Sequence, residues 1–247
     1  MVKRALLIGI NYTGSQYALR GCINDVQNLR SHLLTRGFEA ANIRFLTDVT
    51  NDVSKQSLLT AIREFISSLQ GGDYGVFHYS GHGGQIKDFT RDETDGRDEC
   101  IYAFVKPNRL EPIIDDTLRV ELVDKLHPNA ILRCVLDCCN SGTGMDLPYF
   151  YYPRGTLSRD ARESLSTKDV VCISGCKDNQ TSADSVIQGQ PQGALTASLL
   201  LALHHLKGDS WQSLALLVDY ELRRGRYTQV SVMSTTNKDI LQRKVDL

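Results

Sequence analysis

One histidine and two adjacent cysteines stand where apolar runs end. Tyr74 to Tyr79 runs into Ser80-Gly81-His82-Gly83-Gly84, and Ile131 to Leu136 runs into Asp137-Cys138-Cys139-Asn140-Ser141-Gly142. A thiolate is a strong nucleophile. A neighbouring imidazole can take the thiol proton and later return it to a leaving amine. The glycines around His82 let the backbone turn tightly and approach a substrate. The amides of Gly83 and Cys139 are candidates to face an oxyanion developing on an attacked carbonyl. Taken singly, a strand-end cysteine is more often a small buried hydrophobe, and a histidine among glycines merely sits in a turn. Together, at two strand ends, they favour nucleophilic catalysis.

A second group is acidic. Asp92, Glu93, Asp95, Asp98 and Glu99 crowd one segment, and Asp115-Asp116 forms a further pair. Hard oxygen ligands of this kind suit calcium. The segment fails the EF-hand pattern, because Gly96 as the turn glycine puts Arg91 at the first ligand position. By itself such a run is more often a solvated face. Cys134 and Cys138 are four apart, as are Cys172 and Cys176. On strands that spacing spans about 13 Å, too far to share a metal at a Zn–S distance of about 2.3 Å. Cys134 and Cys172 are therefore read as core, and mid-strand His78 as a packed histidine. His204 and His205 end a helical pattern, where the dipole favours positive charge.

The elements that must carry these groups follow from periodicity. Ala5 to Ile10 is a short, fully apolar run of the kind that forms a buried parallel strand. Ile43–Leu46, Tyr74–Tyr79, Cys100–Val105, Ile131–Leu136 and Val170–Ser174 read as further strands, and Gln229–Met233 as an edge strand. Helical spacing joins Cys22, Val26, Leu29 and Leu33 up to a stop at Gly37. It recurs in Leu58 to Leu69 before Gly71-Gly72, Leu118–Leu126, Ala194–His205 and Trp211–Leu222. Strand–helix alternation predicts an α/β fold with a mostly parallel central sheet covered by helices on both faces. In such sheets ligands bind beyond the carboxyl ends of the strands, where His82 and Cys139 emerge. Tyr149 to Lys168 is polar and lacks a period, so it reads as a long surface loop. One domain over 1–247 is expected, with a larger part to about 150 and a smaller part from 169.

Composition narrows the classes. The formal net charge of -1 argues against nonspecific nucleic-acid binding, which needs a clustered basic surface. No run approaches the roughly 20 apolar residues that span a bilayer, and the N-terminal run lacks a small-residue cleavage site. Seven cysteines, two of them adjacent, suggest no disulfide framework. A reducing, cytoplasmic setting is expected.

Two segments, FHYSGHGGQ (Phe77 to Gln85) and DCCNSGTGMDLPY (Asp137 to Tyr149), resemble the signature segments of metacaspases. ALLIGINY, LRGCINDV, DGRDECI, IIDDTLR, SGCKDNQTSADS and GALTASLL resemble family blocks in the same order, so the resemblance covers essentially the whole chain. It implies a caspase-like three-layer sandwich and a protease with His82 as base and Cys139 as nucleophile. The family commonly reads Asp-Ser-Cys-His-Ser-Gly where this chain reads Asp-Cys-Cys-Asn-Ser-Gly. Cys138 and Asn140 thus depart from the pattern, and Cys138 remains an alternative nucleophile.

The resemblance further implies that Cys22, Asp25, Ser80 and Asp137 line the specificity pocket. Two carboxylates in one pocket favour a guanidinium or ammonium, so cleavage after arginine or lysine is expected. An asparagine-directed site would leave both carboxylates unpaired. Without the resemblance, Asp25 reads as a solvated carboxylate near a helix start. Asp98, Asp115, Asp116 and Asp146 match the family's activating calcium site. Arg154, Arg159, Arg162 and Lys168 are candidate self-cleavage positions in the loop. The first strand begins at Ala5, which implies a compact form without a prodomain, and relatives of this kind are usually monomers. The competing reading is a non-catalytic caspase-like module that binds partners or calcium.

Overall fold

The computed structural model describes residues 1–87, 97–138, 145–153, 155, 157–160, 166–176, 185–187 and 190–247. In chain order the strands are β1 (Lys3–Gly9), β2 (Ile43–Thr47), β3 (Tyr74–Ser80), β4 (Gly83–Lys87), β5 (Arg97–Val105), β6 (Arg109–Ile114) and β7 (Ile131–Asp137). They continue with β8 (Tyr149–Tyr151), β9 (Leu157–Arg159), β10 (Asp169–Cys176), β11 (Ser185–Ile187), β12 (Gln190–Gln192) and β13 (Val230–Thr235). The helices are α1 (Cys22–Thr35), α2 (Lys55–Ser68), α3 (Asp115–Leu118), α4 (Ala194–His205) and α5 (Trp211–Arg224).

Side-chain alternation along the strands builds three layers. In β1, Leu6 and Ile8 point to one face, and Ala5 and Leu7 to the other. The first face packs on Leu58, Ile62 and Phe65 of α2 and on Leu118 of α3. The second packs on Val26 and Leu29 of α1, Leu195 and Leu199 of α4, and Leu214 and Val218 of α5. A strand covered on both faces has no polar side to show, which is why these strands read as unbroken apolar runs.

The central sheet has strand order β2-β1-β3-β7-β10-β13-β8-β9. From β2 to β10 every pairing is parallel, and the pairings among β10, β13, β8 and β9 are antiparallel. The expected α/β sandwich with a mostly parallel sheet is therefore present. Local signals hold where they were legible. Gly37 takes φ +82° just past α1, a left-handed conformation that glycine adopts without strain. The Ser54 and Ser210 side chains cap α2 and α5 by accepting from Ser57 and Ser213 amides.

Four details differ from the sequence expectation. The C-terminal strand is interior, because β8 adds to it on the side away from β10. The stretch expected as a plain loop over 149–168 holds β8 and β9, three-residue strands whose one or two residues per face give too little pattern to read. The strand over Cys100–Val105 belongs to a separate antiparallel sheet, order β4-β5-β6, rather than to the central one. The expected helix from Leu118 is preceded by α3 and continues as a wider, π-type turn over Arg119–Asp124.

A buried arginine ties the chain's end to the sheet. Arg133, on β7, donates through Nε and Nη2 to the Asp246 carboxylate at 2.9 and 2.8 Å, and through Nη1 to Asp169 at 2.8 Å. Its guanidinium lies over the rings of Tyr74 and Trp211.

Candidate active site

Parallel pairing in register puts Ser80 of β3 opposite Asp137 of β7. The two chain exits thus leave the sheet side by side, and the Gly81 amide donates to the Asp137 carbonyl at 3.3 Å. His82 follows Ser80 by two residues and Cys139 follows Asp137 by two. Cys139 and Asn140 lie outside the described residues. Cys138 is described and buried, on the α2 face with Leu136 and Cys134.

His82 is held from several directions. Its Nε2 lies 2.8 Å from the Tyr17 carbonyl oxygen. A carbonyl only accepts, so Nε2 carries the proton and Nδ1 carries the lone pair. The His82 amide donates to the Tyr12 hydroxyl at 2.9 Å, and its carbonyl accepts from the Tyr79 hydroxyl at 2.8 Å and the Tyr102 amide at 3.0 Å. The Tyr12 ring packs on the imidazole with centroids 4.6 Å apart. Tyr12 has φ 50°, uncommon for a residue with a side chain. Asp48 holds that turn by accepting from the Asn11 and Thr13 amides at 2.8 and 2.7 Å. Burial pushes the Tyr12 and Tyr79 hydroxyls far above the ordinary tyrosine range, so both stay neutral. Gly83 opens β4, one residue past His82.

The sequence-predicted pocket residues come together. Strand alternation sends Ser80 and Asp137 to the face covered by α1 and α4, where Asp25 and Cys22 stand in the first turn of α1. The Ser80 hydroxyl donates to Asp25 Oδ2 at 2.7 Å. The start of α4 supplies the other donors. The Gly193 amide reaches Asp25 Oδ1 at 2.8 Å, and the Thr196 amide reaches Asp137 Oδ2 at 2.8 Å. The orphan amides of a helix start, and its dipole, are thus met by two carboxylates from other elements. A Cβ on Gly193 would fall 2.2 Å from Asp137 Oδ2 and 2.6 Å from Asp25 Oδ2, so only glycine fits.

Both carboxylates are buried, at 0 and 1 % exposure. Burial first, and then the Asp137 charge, raise Asp25 well above the ordinary carboxylate range. Asp137 is raised by burial as well, against donors from Thr196 and Leu195 that favour its ionised form. Asp137 Oδ1 is buried and has no hydrogen-bond partner among the described residues. Burial, followed by the Asp25 charge, also raises the Cys22 thiol, which stays protonated.

Sequence reasoning missed Tyr12, the Tyr17 carbonyl, Gly193 and Thr196. Gly193 and Thr196 lie in the GALTASLL block, so the resemblance marked the segment without giving its role.

The four aspartates matched to a metal site are all described. Asp98 lies in β5, Asp115 and Asp116 open α3, and Asp146 follows at φ 46°. The Asp115 oxygens accept from the Glu99 and Asp116 amides at 3.0 and 3.1 Å, and Arg119 donates to the Asp146 carbonyl. Their donor chemistry fits a hard cation. Among the described residues, however, no three acidic, imidazole or thiol side chains converge as a ligand set. Of the basic positions in the 149–168 stretch, Arg154 and Arg162 lie outside the described residues. Arg159 is exposed at the end of β9, and the Lys168 ammonium donates to the Val123 and Asp124 carbonyls.

Residues 3–148 match the family description "Metacaspase, peptidase C14 domain". A protein named Metacaspase-1 from Yarrowia lipolytica is 37 % identical over 286 residues, which cover 95 % of this chain and 62 % of that protein. The chain therefore spans less than two thirds of that relative's length. A Metacaspase-1 from Candida glabrata is 33 % identical, covering 95 % of this chain and 73 % of its own. A crystal structure of a protein from Geobacter sulfurreducens superposes with a TM-score of 0.70 at 24 % identity, over 98 % of this chain and 97 % of its own. At that identity the likeness is one of fold.

Proposed function

Because the chain belongs to the metacaspase family, we propose that it is a cysteine endopeptidase that cuts after arginine or lysine. The observation that carries the specificity is the unpartnered Asp137 Oδ1, buried beside Asp25. A buried carboxylate oxygen without a donor costs about 1–3 kcal/mol or more. A guanidinium or ammonium on the substrate supplies both the donor and the opposite charge. An uncharged amide would leave net negative charge buried.

Cys139 is the nucleophile in this reading. Its neighbour Cys138 is packed into the core on the opposite side of the strand from Asp137, which supports Cys139 over it. His82 Nδ1 takes the thiol proton, and the Tyr17 carbonyl holds the imidazolium that results. The thiolate attacks the scissile carbonyl. The amides of Gly83 and Cys139 face the oxyanion. The leaving amine takes the proton from His82, and water then hydrolyses the thioester.

Calcium binding by Asp98, Asp115, Asp116 and Asp146 is part of the proposal, and it requires those side chains to be drawn together. When bound, the ion would offset the charge of a carboxylate-rich edge beside β4 and β5. Self-cleavage after a basic residue of the 149–168 stretch is proposed on the basic character of Arg154, Arg159, Arg162 and Lys168.

One assay tests the reading. A fluorogenic peptide ending in arginine is offered to the protein and to Cys139→Ala, with millimolar calcium or with chelator. Cleavage that needs both Cys139 and calcium is expected, with a citrulline peptide refused. Cleavage in chelator removes the calcium part alone. No cleavage by folded protein under any condition supports the non-catalytic module instead.

A further inference from the structure

Beneath the floor of the pocket lies a group that the chemical steps do not touch. His78 sits mid-strand in β3, at 0 % exposure, on the same face as Ser80. Its Nε2 is 3.1 Å from the Thr196 hydroxyl, 118 residues away in sequence. Thr196 is the third residue of α4. Its amide holds Asp137 Oδ2 at 2.8 Å.

The Thr196 hydroxyl can accept an N–H from Nε2 or donate to it, as the imidazole tautomer decides. Burial pushes the His78 imidazole down to about 3, so it is neutral and carries one N–H. Nδ1 is buried and has no hydrogen-bond partner among the described residues. A phenylalanine or leucine would fill the space without burying an unmet polar atom. The imidazole therefore spends stability on a single useful contact, and that contact runs towards Asp137.

We propose that His78 is a positioning residue for basic substrates: it anchors Thr196 by the hydroxyl, and the Thr196 amide in turn holds Asp137 Oδ2 so that Oδ1 faces the substrate cation. The inference rests on the arginine or lysine specificity proposed above. It adds the residue that sets the orientation of the recognising carboxylate, although no substrate atom reaches it.

The test compares arginine, lysine and citrulline peptides in wild type, His78→Phe, His78→Gln and Thr196→Val, each checked for fold by circular dichroism and thermal melting. His78→Phe and Thr196→Val are expected to raise KM for the arginine peptide about fivefold, the worth of one hydrogen bond between neutral groups. The change in kcat should stay within about twofold. His78→Gln keeps a side-chain N–H near the Nε2 position and should restore most of the loss. A folded His78→Phe or Thr196→Val with unchanged KM overturns the proposal. So does an equal loss in kcat and KM that glutamine fails to rescue, which is the mark of a packing role. If His78→Phe does not fold, Thr196→Val decides by the same KM criterion. Failure of the wild type to prefer arginine over citrulline would instead sink the specificity reading itself.

Discussion

Under the proposed specificity, Asp25 serves recognition at a cost in stability. Its carboxyl is raised by burial and by Asp137, so the native state holds a proton that the unfolded chain releases more readily. A group raised on folding gives its full contribution below its unfolded pKa, about 3.9, and loses it as pH rises through the folded value. Asp25→Asn removes that loss, and an amide can still accept from Gly193 while its NH2 donates to the Ser80 hydroxyl oxygen. At neutral pH this variant should melt a few degrees above the wild type, and the gap should close as the pH is lowered below about 4. Arginine-peptide cleavage should fall sharply in the same variant. Melting curves from pH 4 to 8 check the first outcome; a wild type that gains stability as pH rises over that range would contradict it. The clustering of Ser80, Asp25 and Asp137 was legible because strand ends and family motifs mark those positions. The Tyr17 carbonyl left no mark, since any residue has one. His78 was correctly read as packed, but its bond to Thr196 joins positions 118 apart and has no local sequence signal.

At the scale of the elements, the buried cation is a pin between strands. Arg133 on β7 meets Asp169 at the start of β10 and Asp246 near the chain's end, with 3 % side-chain exposure against 24 and 38 % for its partners. The carboxylates keep contact with water and the guanidinium does not. Removing one acid therefore leaves a buried charge short of a partner, whereas removing the arginine leaves two acids that solvent can serve. Asp246→Ala is expected to lower stability by about 2 kcal/mol, and Arg133→Met by less, as read from urea unfolding. The reverse order would show that the stacking on Tyr74 and Trp211 outweighs the ion pairs. Amphipathic helices such as α2 and α5 were readable because burial follows their 3.6-residue period. The interior position of β13 was not, since strand order depends on what pairs on either side and not on the strand's own residues.

At the largest scale, the described residues form one eight-stranded sheet with two helical faces, a small antiparallel annex over β4-β5-β6 and a β11-β12 pair. The annex escaped sequence reading because β4 is half-buried and glycine-led, so it lacks a strand's apolar alternation. No described helix is long and apolar enough to cross a membrane. The strand order also has a consequence for a cut after Arg159. The chain before that point contributes β7 and β8, and the chain after it contributes β10 and β13. These strands interleave, with β7 hydrogen-bonded to β10 and β8 to β13. Backbone scission would therefore turn one polypeptide into two without making two particles. A nicked sample should elute from a sizing column where the intact one does and separate into fragments only in denaturant. The two pieces, expressed apart and mixed, should reassemble as complementing halves.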